Sequence, residues 1–205
     1  TETLLRRAVA RDQFVLHYQP RVDVATNRIV GAEARIRWQH PERGWISPAQ
    51  FIPLAEETGL IVPLGAWVIE EACRTLRSWQ NGPLADLKVA INLSAEQVAR
   101  TNVAELVLQS LWRNGLRPQQ LELEMTESLL MRDIDTAKAM LCTLKDAGVS
   151  LAIDDFGTGY SSLSYLRQFP LDSLKIDRSF VLNLHNDPDD AAICAAIIAM
   201  AKKLR

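Results

Sequence analysis

The chain has 205 residues, 48% hydrophobic and 23% charged, with a formal net charge of −2. This balance suits a soluble globular chain with one sizeable core, and it supplies no global field for a DNA or RNA polymer or an anionic membrane. No apolar run approaches the roughly 20 residues of a membrane span, and the odd, scattered Cys73, Cys142 and Cys194 read as free buried thiols of a reducing compartment rather than a disulfide or zinc set.

In chain order, residues 14–19 and 29–38 are predicted strands joined through a turn at Ala25-Thr26-Asn27. Ser47-Pro48 opens a helix to Glu57, with Ser47 as N-cap, Pro48 at the first helical position and Gly59 past the end. Residues 62–80 carry the spacing of an amphipathic helix that closes at Asn81-Gly82-Pro83. A strand over 87–93 precedes Ser94, which is placed to cap the next helix. Residues 103–114 are helical and Gly115 stops them. In the strand 120–125, Leu121 and Leu123 alternate with Glu122 and Glu124, which sends acids and leucines to opposite faces. Residues 133–146 form a helix followed by Gly148. Then come a strand over 149–154, a short helix over 161–168, a brief strand over 173–176 and a helix over 188–204.

Strands alternating with helices predict a mainly parallel α/β sheet. Acids and amides fall at the C-terminal ends of several strands, where (β/α) barrels collect their catalytic groups, and no G-x-G-x-x-G loop of an open doubly wound sheet occurs. A barrel is therefore expected, although the six strands read here are fewer than eight and the length falls short of the roughly 250 residues of eight βα units. No linker or low-complexity segment divides the chain, so residues 1–205 are expected to form a single domain, incomplete at the C-terminus.

The most informative run is Leu151-Ala152-Ile153-Asp154-Asp155-Phe156-Gly157-Thr158-Gly159, an apolar strand that delivers two adjacent carboxylates into a glycine-bearing loop. Two like charges about 4 Å apart repel by roughly 4 kcal/mol at an effective dielectric near 20, so acids placed this way require cations. The same run reads equally as a loop capped by Asx turns. Collected by strand end, the polar candidates are Glu33 and Arg37, Asn92, Glu124 and Glu127, Asp154 and Asp155, and Lys175 and Asp177. Each has a plain structural reading: Glu124 and Glu127 as helix-start acids around Thr126, Asn92 as a cap, Lys175–Asp177 as a surface ion pair, Glu33–Arg37 as a salt bridge inside the barrel. Together, their oxygens suit two hard divalent ions and an in-line displacement at phosphorus, with Lys175 facing the developing charge or the nucleophilic water.

At this point the chain resembles the EAL domain, a bacterial family of cyclic di-GMP phosphodiesterases. The resemblance covers essentially all 205 residues. It is carried by Tyr18-Gln19-Pro20, Glu33-Ala34-Arg35-Ile36-Arg37-Trp38, Ser47-Pro48 with Phe51-Ile52-Pro53-Leu54-Ala55-Glu56, and Ile91-Asn92-Leu93-Ser94. Leu123-Glu124-Met125-Thr126-Glu127-Ser128, the run from Asp154 to Leu163 and Leu174-Lys175-Ile176-Asp177 complete it. It implies a modified TIM (β/α)8 barrel with one antiparallel strand, residues 14–19. It implies hydrolysis of cyclic di-GMP to linear 5′-pGpG by a two-metal-ion mechanism in second-messenger signalling, with Mg²⁺ or Mn²⁺ as cofactor. Glu33, Asn92, Glu124, Asp154 and Asp155 match the family's metal ligands and Lys175 its catalytic lysine. Gln19, Arg37 and Asp177 match substrate contacts, Arg37 through phosphate. Glu127 matches the acid that supports the loop after Asp155, and that loop implies a homodimer. The setting implied is cytoplasmic, including the cytoplasmic part of a bacterial membrane protein, with sensory or diguanylate cyclase domains upstream.

Two departures qualify the resemblance. The signature triplet is Glu33-Ala34-Arg35, with Arg in place of the usual Leu. On a strand Arg35 shares a face with Glu33 and Arg37, so three readings stand: it pairs with Glu33 and competes with metal, it reaches a ligand phosphate, or it snorkels away. The chain also stops before the family's last two strands, so the 205 residues alone are expected to be a poor enzyme. The alternative function is a catalytically impaired domain that acts as a cyclic di-GMP receptor.

Overall fold

A computed structural model describes residues 2–11, 13–158 and 166–203. Helix α1 (Glu2–Ala10) leads into β1 (Phe14–Asp23), which turns back as β2 (Arg28–His40). Asp23 holds that turn: its carboxylate accepts from the backbone N–H and the hydroxyl of Thr26, both at 2.7 Å, and Asn27 takes φ +53°. Asn and Asp are the residues that tolerate this region. A three-residue strand, β3 (Gly44–Ile46), pairs antiparallel with the end of β2, then α2 (Pro48–Glu57) and α3 (Ile61–Trp79) follow.

The remaining elements alternate. They are β4 (Lys88–Asn92), α4 (Ala95–Arg100), α5 (Val103–Asn114), β5 (Leu121–Thr126), α6 (Glu127–Arg132), α7 (Ile134–Ala147), β6 (Ser150–Phe156), β7 (Ser173–Ile176), α8 (Arg178–Leu182) and α9 (Pro188–Lys203). The sheet has seven strands in the order β1-β2-β4-β5-β6-β7 with β3 beside β2. β1 is antiparallel to β2, and every pairing from β2–β4 to β6–β7 is parallel.

Helix ends follow local chemistry. Ser94, Asn102 and Asp133 accept from backbone N–H groups at the starts of α4, α5 and α7, and Gly115 and Gly148 close α5 and α7 at φ +63° and +99°. Ser47 is different. It occupies the N-cap position of α2 but its side chain makes no capping bond; the Gln50 N–H goes to the Ser47 carbonyl at 2.9 Å instead. Pro48 at the first position already removes one orphan donor and fixes φ.

The sheet separates two chemistries by strand alternation. Val89 and Ile91, Leu121 and Leu123, Leu151 and Ile153 are fully buried and form one core with Leu76, Val107, Leu141 and Leu144 from α3, α5 and α7. A second cluster packs Phe14 and Trp38 against Phe51 of α2, with ring centroids 5.6–5.8 Å apart. The intervening residues, among them Glu33, Asn92, Glu122, Glu124, Asp154 and Lys175, share the other face.

Four differences from the sequence-based expectation stand out. β1 runs on past Pro20 to Asp23, and α1, β3 and α8 were not anticipated. The helix expected over 161–168 falls largely outside the described residues.

Gly31 of β2 lies opposite Lys88 of β4, and a Cβ there would stand 2.9 Å from the Lys88 carbonyl oxygen. Backbone cannot yield as a side chain can. Gly31→Ala is therefore expected to cost about 1–3 kcal/mol, seen as a lower urea midpoint at unchanged slope. An unchanged midpoint would show that β2 and β4 separate without penalty.

Candidate active site

Parallel strands in register bring their C-terminal ends to one edge of the sheet, and the polar face delivers one group from each. Glu33 comes from β2, Asn92 from the last position of β4, Glu124 from β5, Asp154 from β6 and Lys175 from β7. The Lys175 ammonium stands 2.5 Å from Glu124 Oε2, 2.9 Å from Asp154 Oδ2 and 3.4 Å from Glu33 Oε2. Asn92 Nδ2 donates to Glu33 Oε1 at 3.2 Å. Ser94, not Asn92, caps α4, so the capping reading of Asn92 fails. The surface pair Lys175–Asp177 fails as well: Lys175 points inward to three acids, and Asp177 accepts from the Ser179 N–H at 2.8 Å as the cap of α8.

Glu124 is fully buried, and burial, reinforced by the nearby Glu33 and Asp154 charges, pushes its carboxyl up to about 7 against the pull of Lys175. Burial also disfavours the Lys175 charge, yet its bonds to Glu124 and Asp154 outweigh this and raise its pKa, so it remains an ammonium. Arg21 closes the ring from below. It pairs with buried Glu122 and lies 3.7 Å from Glu124 Oε1. Sequence reasoning missed Arg21 because it ended the first strand at Gln19. The signal was its spacing, two residues on from Gln19 and therefore on the same face.

Strict alternation would send Asp155 away from Asp154. The β6–β7 register instead shifts between Ile153 and Phe156, and Asp155 adopts φ +52°. This irregularity re-aims the second acid, as β-bulges do. Asp155 lies beside Asp154 and Asp177; burial and those two charges raise its pKa. It forms no ion pair among the described residues.

Gln19 is exposed and registers opposite Glu33. Arg37 does not bridge to Glu33; its Nη1 donates to the Ile36 carbonyl at 2.8 Å. Arg35 takes that role, with Nε 3.2 Å from Glu33 Oε1 and Nη2 3.3 Å from Oε2. Of the three readings for Arg35, the structure adopts the pairing. Glu33, Arg35, Arg37, Asn92 and Ser94 line a cavity of about 540 Å³ that continues against apolar residues of α2 and α3. Glu127 begins α6 behind the Thr126 cap, buried, and neither carboxylate oxygen has a partner among the described residues. Most of the loop it is expected to support, residues 159–165, lies outside the described residues.

The donors fit a hard divalent cation. They are carboxylate and amide oxygens, and Glu124 Oε1 is buried without a hydrogen-bond partner among the described residues. Among the described residues no three His, Cys, Asp or Glu side chains stand in ready ligating geometry. The Lys175 ammonium fills the point on which the acid oxygens converge.

The EAL domain family model matches residues 3–205. MucR of Pseudomonas aeruginosa, a bifunctional diguanylate cyclase/cyclic di-GMP phosphodiesterase, is 51% identical over 200 residues, 98% of this chain and 29% of MucR. The cyclic di-GMP phosphodiesterase NbdA of the same organism is 47% identical over 203 residues, 99% of this chain and 26% of NbdA. The solved PaMucR phosphodiesterase, in a c-di-GMP complex, is similar at a TM-score of 0.94 and 50% identity, covering 99% of this chain and 82% of that one. The chain thus spans less than a third of the curated relatives it matches.

In the unfolded chain Glu124 ionises near 4.5; in the fold it keeps its proton to about 7. The associated stability is complete below pH 4.5 and is lost as pH rises through 7. Asp155 shifts in the same direction. In chelator, the protein is expected to lose up to about 3 kcal/mol across this window through Glu124. Urea melts at successive pH values check this: Glu124→Gln should flatten the slope, and an identical slope in the variant excludes Glu124 as its source.

Proposed function

The chain belongs to the EAL domain family, and from that premise we propose that, within its whole protein, it hydrolyses cyclic di-GMP to linear 5′-pGpG. EAL domains are TIM-like barrels, and the open mixed sheet matches an incomplete one. The observation that carries the proposal is Lys175 held by Glu33, Glu124 and Asp154 beside a cavity lined by Arg37. EAL phosphodiesterases are generally dependent on divalent metal. Glu33, Asn92, Glu124, Asp154 and Asp155 would hold two Mg²⁺ or Mn²⁺ ions, which supply Lewis-acid polarisation of the phosphodiester and of the attacking water.

The chain's own groups do the rest. Arg37 presents a guanidinium whose fork matches a phosphate, and the cavity takes the nucleotide. Lys175, an ammonium among the acids, donates hydrogen bonds to charge that develops on phosphoryl oxygen and orients the water. In this reading Gln19 and Asp177 serve as further substrate contacts. Glu127 supports the loop after Asp155, through which the domain pairs with a second copy. The relatives are multidomain proteins, which supports sensory or cyclase domains ahead of this one.

A cytoplasmic setting is supported by three free cysteines, two of them buried. Among the described residues no helix is long and apolar enough to cross a membrane. The receptor reading is favoured by one observation, the Arg35 clamp on Glu33, which occupies a proposed ligand.

The whole protein with Mg²⁺ or Mn²⁺ is expected to convert cyclic di-GMP to pGpG, followed by chromatography. Lys175→Met is expected to lower kcat by about 10²–10⁴-fold. Tight nucleotide binding with no pGpG at any metal concentration would sink the enzyme reading in favour of the receptor.

A further inference from the structure

We infer that Arg35 is a built-in competitor for the divalent-cation site, released from Glu33 when a nucleotide phosphate enters and takes its guanidinium. The inference rests on the phosphodiesterase reading for the identity of the cation site, and on geometry for the rest. A carboxylate offers about four acceptor positions. On Glu33 three of these are filled: Oε1 accepts from Asn92 Nδ2 at 3.2 Å, and Oε2 accepts from Arg35 Nη2 at 3.3 Å and Lys175 Nζ at 3.4 Å, while Arg35 Nε stands 3.2 Å from Oε1 as an ion-pair contact. A cation that approaches Glu33 meets positive charge already against both oxygens.

The structure singles out the donor that leaves most easily. Lys175 is also tied to Glu124 and Asp154, and its side chain is 24% exposed. Arg35 has Glu33 as its one acidic partner among the described residues, and its side chain is 46% exposed. It also lines the cavity of about 540 Å³ beside Arg37, so a phosphodiester placed there lies within reach of its fork. Phosphate presents the same bidentate pattern of oxygens that Glu33 now offers. Because a guanidinium stays charged at every working pH, deprotonation cannot relieve the competition. The ligand must do so. By linkage, nucleotide and cation then tighten each other's binding by one common factor.

The test uses the whole protein freed of divalent ions by chelator and dialysis. Mn²⁺ is titrated against it, with free Mn²⁺ read from its electron paramagnetic resonance signal, and cyclic di-GMP binding is measured by calorimetry in chelator. Without nucleotide, Arg35→Leu is expected to bind Mn²⁺ about tenfold more tightly than the unaltered protein, within the usual range of coupling between sites. Cyclic di-GMP binding in chelator is expected to weaken by a similar factor. Arg35→Gln, which removes the charge and keeps a shorter polar side chain, should do the same, and carries the test if the leucine variant melts early. Mn²⁺ affinity unchanged or weaker in the folded variants overturns the competition; unchanged nucleotide affinity overturns the transfer to phosphate. If Mn²⁺ binding tightens but no pGpG forms, the inference stands and the enzyme reading fails. If pGpG forms and Mn²⁺ binding does not tighten, the reverse holds.

Discussion

Three carboxylates converge on one ammonium at the carboxyl edge of the sheet, and much of the molecule follows from that constraint. Glu33, Glu124 and Asp154 come from three different strands, and their mutual repulsion is tolerable only with positive charge among them. Lys175 supplies it from a fourth strand, so β2 and β7 are joined electrostatically across the strands between them. The short β7 carries this residue, and its pairing with β6 sets where the charge lands. Removing the ammonium would leave Glu124 fully buried among acids, a far costlier state than loss of a surface ion pair.

The polar face is supported by the apolar one. Val89, Ile91, Leu121, Leu123, Leu151 and Ile153 lock the central strands against α3, α5 and α7, which fixes the register that aligns Asn92 with Glu124. A slip of one residue would exchange the two faces completely. Arg21 and Glu122 form a lower tier of the same arrangement, reaching across from β1 to β5. Over the two tiers, four acids are answered by Arg21, Arg35 and Lys175. The face therefore comes close to neutralising itself, and an incoming cation meets competitors already seated.

Much of this was legible in the residues. β4, β5 and β6 announce themselves by apolar runs and by the Leu–Glu alternation, and Asn92, Glu124, Asp154 and Lys175 follow from period two. What was not legible has local causes. β3 is three residues long and has no period to detect. β1 continues through Pro20 because β1 pairs only with β2 among the described residues, and an edge strand tolerates the missing N–H; ending the strand there hid Arg21. The competing readings of Arg35, Asn92 and Lys175 differ by partner rather than by face. Sequence spacing specifies faces, and partners emerge only once separate strands are placed side by side.

Asp155 shows how the backbone overrides periodicity where the chemistry demands two adjacent acids. An extended strand presents Asp154 or Asp155 to the site edge, never both. The register shift and a left-handed φ of +52° break that rule, in a region that costs a non-glycine residue about 1–2 kcal/mol. Asp is among the few side chains that visit it readily. The consequence is a second acidic group, Asp155 with Asp177, set apart from the three acids that Lys175 holds directly. Burial comes first in raising the Asp155 pKa and the Asp154 and Asp177 charges add to it, while Asp177 itself is held low by its bonds to Ser179. Lys175 pairs with the inner acids and forms no ion pair with Asp155 among the described residues, so the shifted register leaves this second carboxylate facing acids rather than the ammonium.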